Sequence, residues 1–296
     1  MASVRTSAAK LPNSGAAAAD AQREFAFSNA DFAFLAKLAY ERAGISLPDS
    51  KRNLIYGRLS RRLRALGLSS FGEYRAYIEG DDSEIERFIN SISTNHTKFF
   101  REDHHFRHFR TSVAQTFAQQ DQKKTVRRLR VWSAGCSSGE EPYTIALVLR
   151  REIANMAHHD VKILATDIDT DVLAKAGRGE YPADALENIP DPFCRYFQPT
   201  EESNGATIKV APDVRSLVTF RPLNLMEAWP IKGPFDAIFC RNVMIYFDTP
   251  TKTKLIDRFT RLIKPGGWLY IGHSESLIGS HPGLKLMGRT IYRRDA

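Results

Sequence analysis

Long apolar runs are missing from this 296-residue chain: none approaches the roughly 20 residues a membrane helix needs, so direct membrane insertion is not expected. A secretory leader is not expected either, because the first two dozen residues set Ala16 to Ala19 among Ser, Asn, Gly and Asp20 without a continuous hydrophobic stretch. Residues 1–25 read instead as a disordered tail. Cysteine is scarce: Cys136, Cys194 and Cys240 are odd in number and scattered, which argues against a disulfide framework and suits a reducing, cytoplasmic compartment. His96, His104, His105 and His108 crowd one region, yet no Cys, Asp or third spaced His completes a ligand set, so no metal is expected. Acids are outnumbered by bases, 34 to 42, and the formal charge of +8 leaves nucleic acid, a membrane surface or an acidic protein open as partner.

What is present is a globular composition, with 43% hydrophobic and 10% aromatic residues, enough for one large or two modest domains. From Ser28 to about Asp81 the pattern is helical. Ser28 or Asn29 caps a helix bearing Phe32, Leu35 and Leu38; further helices run from about Ser50 to Leu66 and from Ser70 to Ile78. On the second, Ile55, Leu59, Leu63 and Leu66 form an apolar arc beside Lys51, Arg58, Arg61 and Arg62. The boundaries expected are a helical domain over 26–80, a helical linker over 81–95 and a third region over 96–296. In that third region strands and helices alternate, the signature of a doubly wound α/β domain. Strands are expected near 127–133, 161–167, 235–246, 268–273 and 290–293. The proline-rich stretch at about 181–220, with strand-like Thr207 to Val210 and Leu217 to Phe220, reads as an inserted β-subdomain, and Lys264-Pro-Gly-Gly267 as a turn.

The chemistry concentrates at Val131-Trp-Ser-Ala-Gly-Cys-Ser-Ser-Gly-Glu-Glu-Pro142, a buried strand turning through glycines into a helix. Glycines let a ligand approach the backbone, and the helix N-terminus offers free N–H groups. Glu140 and Glu141 would repel a pyrophosphate and attract a cationic, hydroxyl-rich cofactor, so S-adenosylmethionine fits and NAD does not. Asp167 ends the second strand, where an acid accepts ribose hydroxyls. Asp169 reads as a solvated turn residue or a helix cap, and Glu141 as a cofactor contact, a first-turn helix acid, or both. Arg241, Asn242 and Tyr246 fall at the carboxyl edge of the central strand. Spacing assigns nothing to Asn95, Thr97 or Arg101, and Phe99-Phe100 reads as a packing seam. Cys136 lacks the His and Asn/Asp company of a nucleophile.

Thr94-Asn-His-Thr-Lys-Phe-Phe-Arg-Glu102, Ser133 to Tyr143, Ala165-Thr-Asp-Ile-Asp169, Ile238 to Asp248, Lys264-Pro-Gly-Gly267 and Gly272-His-Ser-Glu-Ser276 together resemble the CheR family of chemoreceptor glutamate methyltransferases, in that family's order and from about residue 28 onward. The resemblance implies a class I, Rossmann-like S-adenosylmethionine-dependent methyltransferase domain with an inserted β-subdomain and an N-terminal all-α domain. It implies methyl transfer to glutamate carboxylates in the helical cytoplasmic region of methyl-accepting chemoreceptors, with S-adenosylhomocysteine as product. By the same resemblance Asn95, Thr97, Arg101, Glu141, Asp167, Asn224, Leu225, Arg241 and Asn242 contact the cofactor, and Arg101 and Tyr246 lie nearest the transferred methyl. The N-terminal domain faces the receptor, which gives Lys51, Arg58, Arg61 and Arg62 an acidic helix to meet rather than nucleic acid. Tethering of a receptor tail peptide on the β-subdomain is left open, because Thr200-Glu-Glu-Ser-Asn-Gly205 stands where tethering members are richer in glycine and arginine. Two other functions compete: a methyltransferase acting on RNA or a small molecule, and a receptor-docking module without catalysis.

Overall fold

The computed structural model describes residues 23–119, 125–200, 205–275 and 281–295. Nearly all of the tail expected over 1–25, residues 201–204 of the β-insert and Ser276 lie outside the described residues. The chain divides into two compact units: one runs up to Leu38 and resumes over Leu47–Ile92, and the other comprises Ala39–Ser46 and the chain from Ser93. Among the described residues no helix is long and apolar enough to cross a membrane.

Helix α1 (Asn29–Ala43), which belongs to the first unit as far as Leu38, begins where Ser28 and Asp31 cap each other: Ser28 N–H donates to Asp31 Oδ2 at 3.0 Å and Asp31 N–H donates to Ser28 Oγ at 3.1 Å. Helix α2 (Arg52–Leu66) stops at left-handed Gly67, α3 (Phe71–Gly80) is capped by Ser70, and α4 (Asp82–Ile92) follows. The expected linker over 81–95 is therefore for the most part a structural helix of this unit. Its Phe88 and Ile92 are buried, and its Glu84, 1% exposed, accepts from Tyr74 Oη at 3.0 Å and Arg62 Nε at 2.7 Å. A buried acid with two donors ties α4 to α2 and α3 more firmly than a linker requires.

The second unit holds strands β1 (Arg128–Ala134), β2 (Asp160–Asp167), β3 (Glu180–Pro182), β4 (Phe197–Pro199), β5 (Thr207–Val210), β6 (Val218–Pro222), β7 (Phe235–Cys240), β8 (Ile263–Ile271), β9 (Leu284–Gly288) and β10 (Ile291–Arg294). Seven form one sheet in the order β6-β2-β1-β7-β8-β10-β9, with β10 antiparallel to β8 and β9 and the other pairings parallel. The other three form a small antiparallel sheet, β3-β5-β4. Helices α5 (His104–Phe109), α6 (Glu140–Glu152) and α7 (Thr170–Arg178) pack on the face that presents Val131, Ile163 and Ala165; α8 (Thr249–Leu262) packs on the opposite face against Trp132, Ile238 and Leu269. α5 continues through a π-helical turn at Arg110–Gln115.

Three expectations change. The strand near Leu217 to Phe220 belongs to the main sheet rather than to the insert: β6 runs parallel to β2, and Val218 and Phe220 pack beside Ala165 and Leu173. The insert thus ends before it. Lys264-Pro-Gly-Gly267 stays within β8, where the register to β7 shifts between Phe235 and Ala237, so it is an irregularity in a strand and not a turn. Finally, β9 and the helical run from His104 are added elements.

Candidate active site

Every parallel strand of the main sheet delivers a loop to one edge, and the candidate residues of the second unit gather there. After β1 the chain turns at Gly135, whose φ of +79° is favourable only without a side chain; a Cβ there would lie 2.2 Å from Val243 Cγ2. The turn is pinned to β2: the N–H groups of Gly135 and Cys136 donate to Thr166 O at 2.7 and 2.9 Å. Ser137 N–H donates to Asp167 Oδ2 at 2.8 Å, and Asp169 N–H to Oδ1 at 3.0 Å. Each carboxylate oxygen of Asp167 keeps a lone pair for a hydroxyl. Burial pushes the Asp167 carboxyl above its ordinary range. Asp169 caps α7, accepting from the N–H groups of Asp171 and Val172, but it is buried rather than solvated.

Asn95 locks onto this loop from the segment before α5. Its Nδ2 donates to Asp169 Oδ2 at 2.6 Å and its carbonyl accepts from Ser137 Oγ at 3.2 Å. Arg101 Nη1 donates to His96 O at 2.6 Å, and Thr97 is half-buried. Phe99 stacks edge-on with Tyr181 and Phe197, and Phe100 packs on Phe193, which makes the pair a seam to the β-insert. On the other flank Leu223 N–H donates to Asp167 O at 2.9 Å, which brings Asn224 and buried Leu225 alongside the second strand's end. Asn224 Nδ2 donates to Arg42 O and Glu227 Oε1.

The centre of the edge is a buried ion network. Arg241, at the end of β7, is 5% exposed. Its Nη1 reaches Glu141 Oε2 at 2.9 Å and its Nη2 reaches Glu102 Oε2 at 3.2 Å, with Phe106 beneath the guanidinium. Ser133 Oγ also donates to Glu141, at 2.7 Å. Burial drives the Glu141 carboxyl up against the pull of Arg241. Burial works on Glu102 too, but Arg241 and the His273 N–H outweigh it and hold that carboxyl below its ordinary range. Tyr246 Oη donates to Thr94 O at 3.4 Å.

Two acids that sequence reasoning did not separate from ordinary surface acids hold this arrangement. Glu102, on a left-handed residue, accepts from His273 N–H at 3.2 Å and Asn242 Nδ2 at 3.4 Å in addition to Arg241. Glu275 is buried and accepts three backbone N–H groups: Gly272 at 2.6 Å, Asn242 at 2.8 Å and Ile245 at 3.0 Å. A Cβ at Gly272 would lie 2.6 Å from that carboxylate. Both acids sit in motifs quoted above, and their position beside Arg101 and after Gly272 was the available signal. The histidines take separate duties: His105 bridges to Arg289 O and Thr290 Oγ1, while His108 meets Tyr270 Oη.

The basic residues at the start of α2 and along it fare differently. Arg62 faces inward in a two-pronged pair with buried Glu84, and Arg58 donates to Ile92 O. Lys51 and Arg61 remain exposed. The expected patch of four is reduced accordingly.

Comparison with known proteins agrees with this division. Residues 95–293 match the CheR methyltransferase S-adenosylmethionine-binding domain, and residues 30–93 match the CheR methyltransferase all-alpha domain. The chain is 43% identical over 284 residues to chemotaxis protein methyltransferase 2 of Pseudomonas aeruginosa, covering 95% of this chain and 99% of that one. It is 42% identical over 271 residues to the chemotaxis protein methyltransferase of Escherichia coli, covering 90% and 91%. It is 40% identical over 292 residues to that of Klebsiella aerogenes, covering 97% of each.

Proposed function

The chain belongs to the CheR methyltransferase family, and from that premise we propose that it methylates glutamate side-chain carboxylates in the cytoplasmic helical region of a chemoreceptor, forming γ-methyl esters in the cytoplasm. Its larger domain is an S-adenosylmethionine-dependent methyltransferase domain. The observation that carries the reading is the charge at the sheet edge. Five carboxylates, those of Glu102, Glu140, Glu141, Asp167 and Asp169, stand against the two guanidinium groups of Arg101 and Arg241. A site of that sign suits a cofactor bearing sulfonium and ammonium groups and disfavours a polyphosphate. When bound, S-adenosylmethionine supplies an electrophilic methyl group on sulfur.

The chain's own residues then have limited tasks. Asp167 accepts ribose hydroxyls on the lone pairs its two backbone donors leave free. Glu141, fixed by Ser133 and Arg241, contributes negative charge at the helix N-terminus, and Asn95, Thr97, Asn224, Leu225 and Asn242 line the cofactor. The substrate glutamate has a reference pKa near 4.3, so it arrives ionised and needs no general base. Alignment and loss of water are what the enzyme must supply. Arg101 orients that carboxylate, with Tyr246 beside it. Lys51 and Arg61 meet the acidic receptor surface. For a receptor tail peptide, the edges of the small sheet are three-residue strands each containing a proline, which supports at most a short added strand.

The test is transfer of labelled methyl from S-adenosylmethionine to receptor-bearing membranes, followed by mild base. Label released as methanol is expected. Label in RNA or in small molecules, with none in receptor, would refute the assignment.

A further inference from the structure

The connection from β6 to β7 covers residues 223–234 and contains no helix. In a doubly wound sheet a helical crossover normally covers each stretch of face. Here α6 and α7 both lie on the Ile163 and Ala165 face, and α8 covers the opposite face at β1, β7 and β8. The remainder of that face, over β6, β2 and the start of β1, carries no helix of the second unit among its described residues; the loop 223–234 covers part of it, with Trp229 edge-on to Trp132 and Leu223 and Ile231 packed beside it.

Register shows what the helix-free part of the face presents. Arg130 stands beside Lys162, Leu164 beside Thr219, and Thr166 beside Arg221. With the following loop they enclose an open cleft of about 560 Å³. Leu164, Leu223, Ile231 and Phe235 give it an apolar floor and wall. Arg128, Lys162, Arg221 and Lys232 stand exposed around it, and no acid lines it. Asp160 pairs with Arg130, so the other four cations dominate the rim. The cleft runs the length of β1 and β2: Thr166, Pro222 and Leu223 bring it up to the cofactor edge, whereas Arg128, which opens β1, lies about 20 Å from Ala134 at that edge, at roughly 3.3 Å per residue.

We propose that this cleft is a docking groove for an amphipathic helix with acidic flanks, supplied by a partner protein. Three adjacent strands span about 10 Å, the width of one helix, so the space left by the absent crossover helix is helix-sized. The apolar floor takes the partner's apolar stripe, and the rim cations meet its acids. A nucleic acid would use the cations and leave the apolar floor uncovered, which makes it the weaker match.

The probe is a synthetic helix of about four turns with a leucine stripe flanked by glutamates, together with the same helix carrying lysines instead. Fluorescence anisotropy with the full chain reads binding. The wild type is expected to bind the glutamate helix at least about tenfold more tightly than the lysine helix. Arg128→Glu/Lys162→Glu/Arg221→Glu should lose at least about tenfold in affinity while keeping S-adenosylmethionine binding. The milder Lys162→Ala/Arg221→Ala should lose a smaller factor in the same direction, which guards against misfolding of the triple variant. Equal binding of both helices, an unchanged affinity in folded variants, or a DNA duplex that outcompetes the glutamate helix would overturn the proposal.

Discussion

Replacing Arg241 by methionine removes the cation between two buried carboxylates while keeping most of the side-chain volume. Glu141 and Glu102 approach the guanidinium at 2.9 and 3.2 Å, and the Arg241 side chain is 2% exposed. Breaking a buried pair typically costs about 3–5 kcal/mol, because the surviving charge stays buried without compensation. Here two charges survive; Glu141 keeps Ser133 and Glu102 keeps the His273 N–H, so we expect a loss within that range at neutral pH. The pH dependence has a definite sign. In the wild type Glu102 is held below its ordinary range, so its pairing stabilises the fold above the unfolded-state pKa and is lost as pH falls through the lower, folded value. In the variant that support is gone, and both carboxyls rise above their unfolded values. The penalty is then full at neutral pH and eases as acidification protonates them. Urea unfolding at about pH 7.5 and pH 5 can be followed by tryptophan fluorescence, because Trp132, Trp229 and Trp268 all lie in the second unit. A neutral-pH stability within about 0.5 kcal/mol of wild type would refute the reasoning, as would a gap that widens on acidification.

Asp167→Ala should weaken S-adenosylmethionine binding by about 1–3 kcal/mol, measured by calorimetry; unchanged affinity in a folded protein removes the ribose role. Glu275→Ala strands three backbone N–H groups and should lower both thermal stability and cofactor affinity, by about 2–4 kcal/mol in stability, with wild-type melting as the contrary result. Arg101→Ala should reduce turnover more than cofactor affinity; lost binding with normal turnover at saturating cofactor would assign it to binding alone. Lys51→Glu/Arg61→Glu should slow receptor methylation at low salt without changing cofactor affinity, whereas Arg62→Glu should chiefly destabilise the first unit by facing Glu84. Normal methylation by the folded Lys51/Arg61 variant would leave those residues a solvated surface.

Sequence patterns disclosed the α/β alternation, the glycine turn and the acids at 141 and 167, because strand periodicity and glycine-acid spacing are local signals. They did less well where tertiary pairing decides. β6 reads as a strand wherever it sits, and only its pairing with β2 assigns it to the main sheet. In the run from His104, Phe106, Phe109, Val113 and Phe117 have helical spacing, but the interleaved histidines and polar residues dilute it. Lys51 to Arg62 looked like one basic face, since a sequence does not reveal that Arg62 pairs with Glu84, 22 positions further on, in a helix that resembled a linker. Glu102 and Glu275 were legible only as members of motifs; their function as clamps depends on backbone groups from distant loops.

The central claim is tested most directly by mapping the product. Receptor-bearing membranes incubated with the protein and S-adenosylmethionine, then digested and analysed by mass spectrometry, should show single methyl additions on glutamate side chains of the receptor's helical region. Mild base should remove them, and the Asp167→Ala protein should place fewer. A folded, cofactor-binding wild type that leaves every receptor glutamate unmodified, or that places only base-stable methyl groups, would contradict the account.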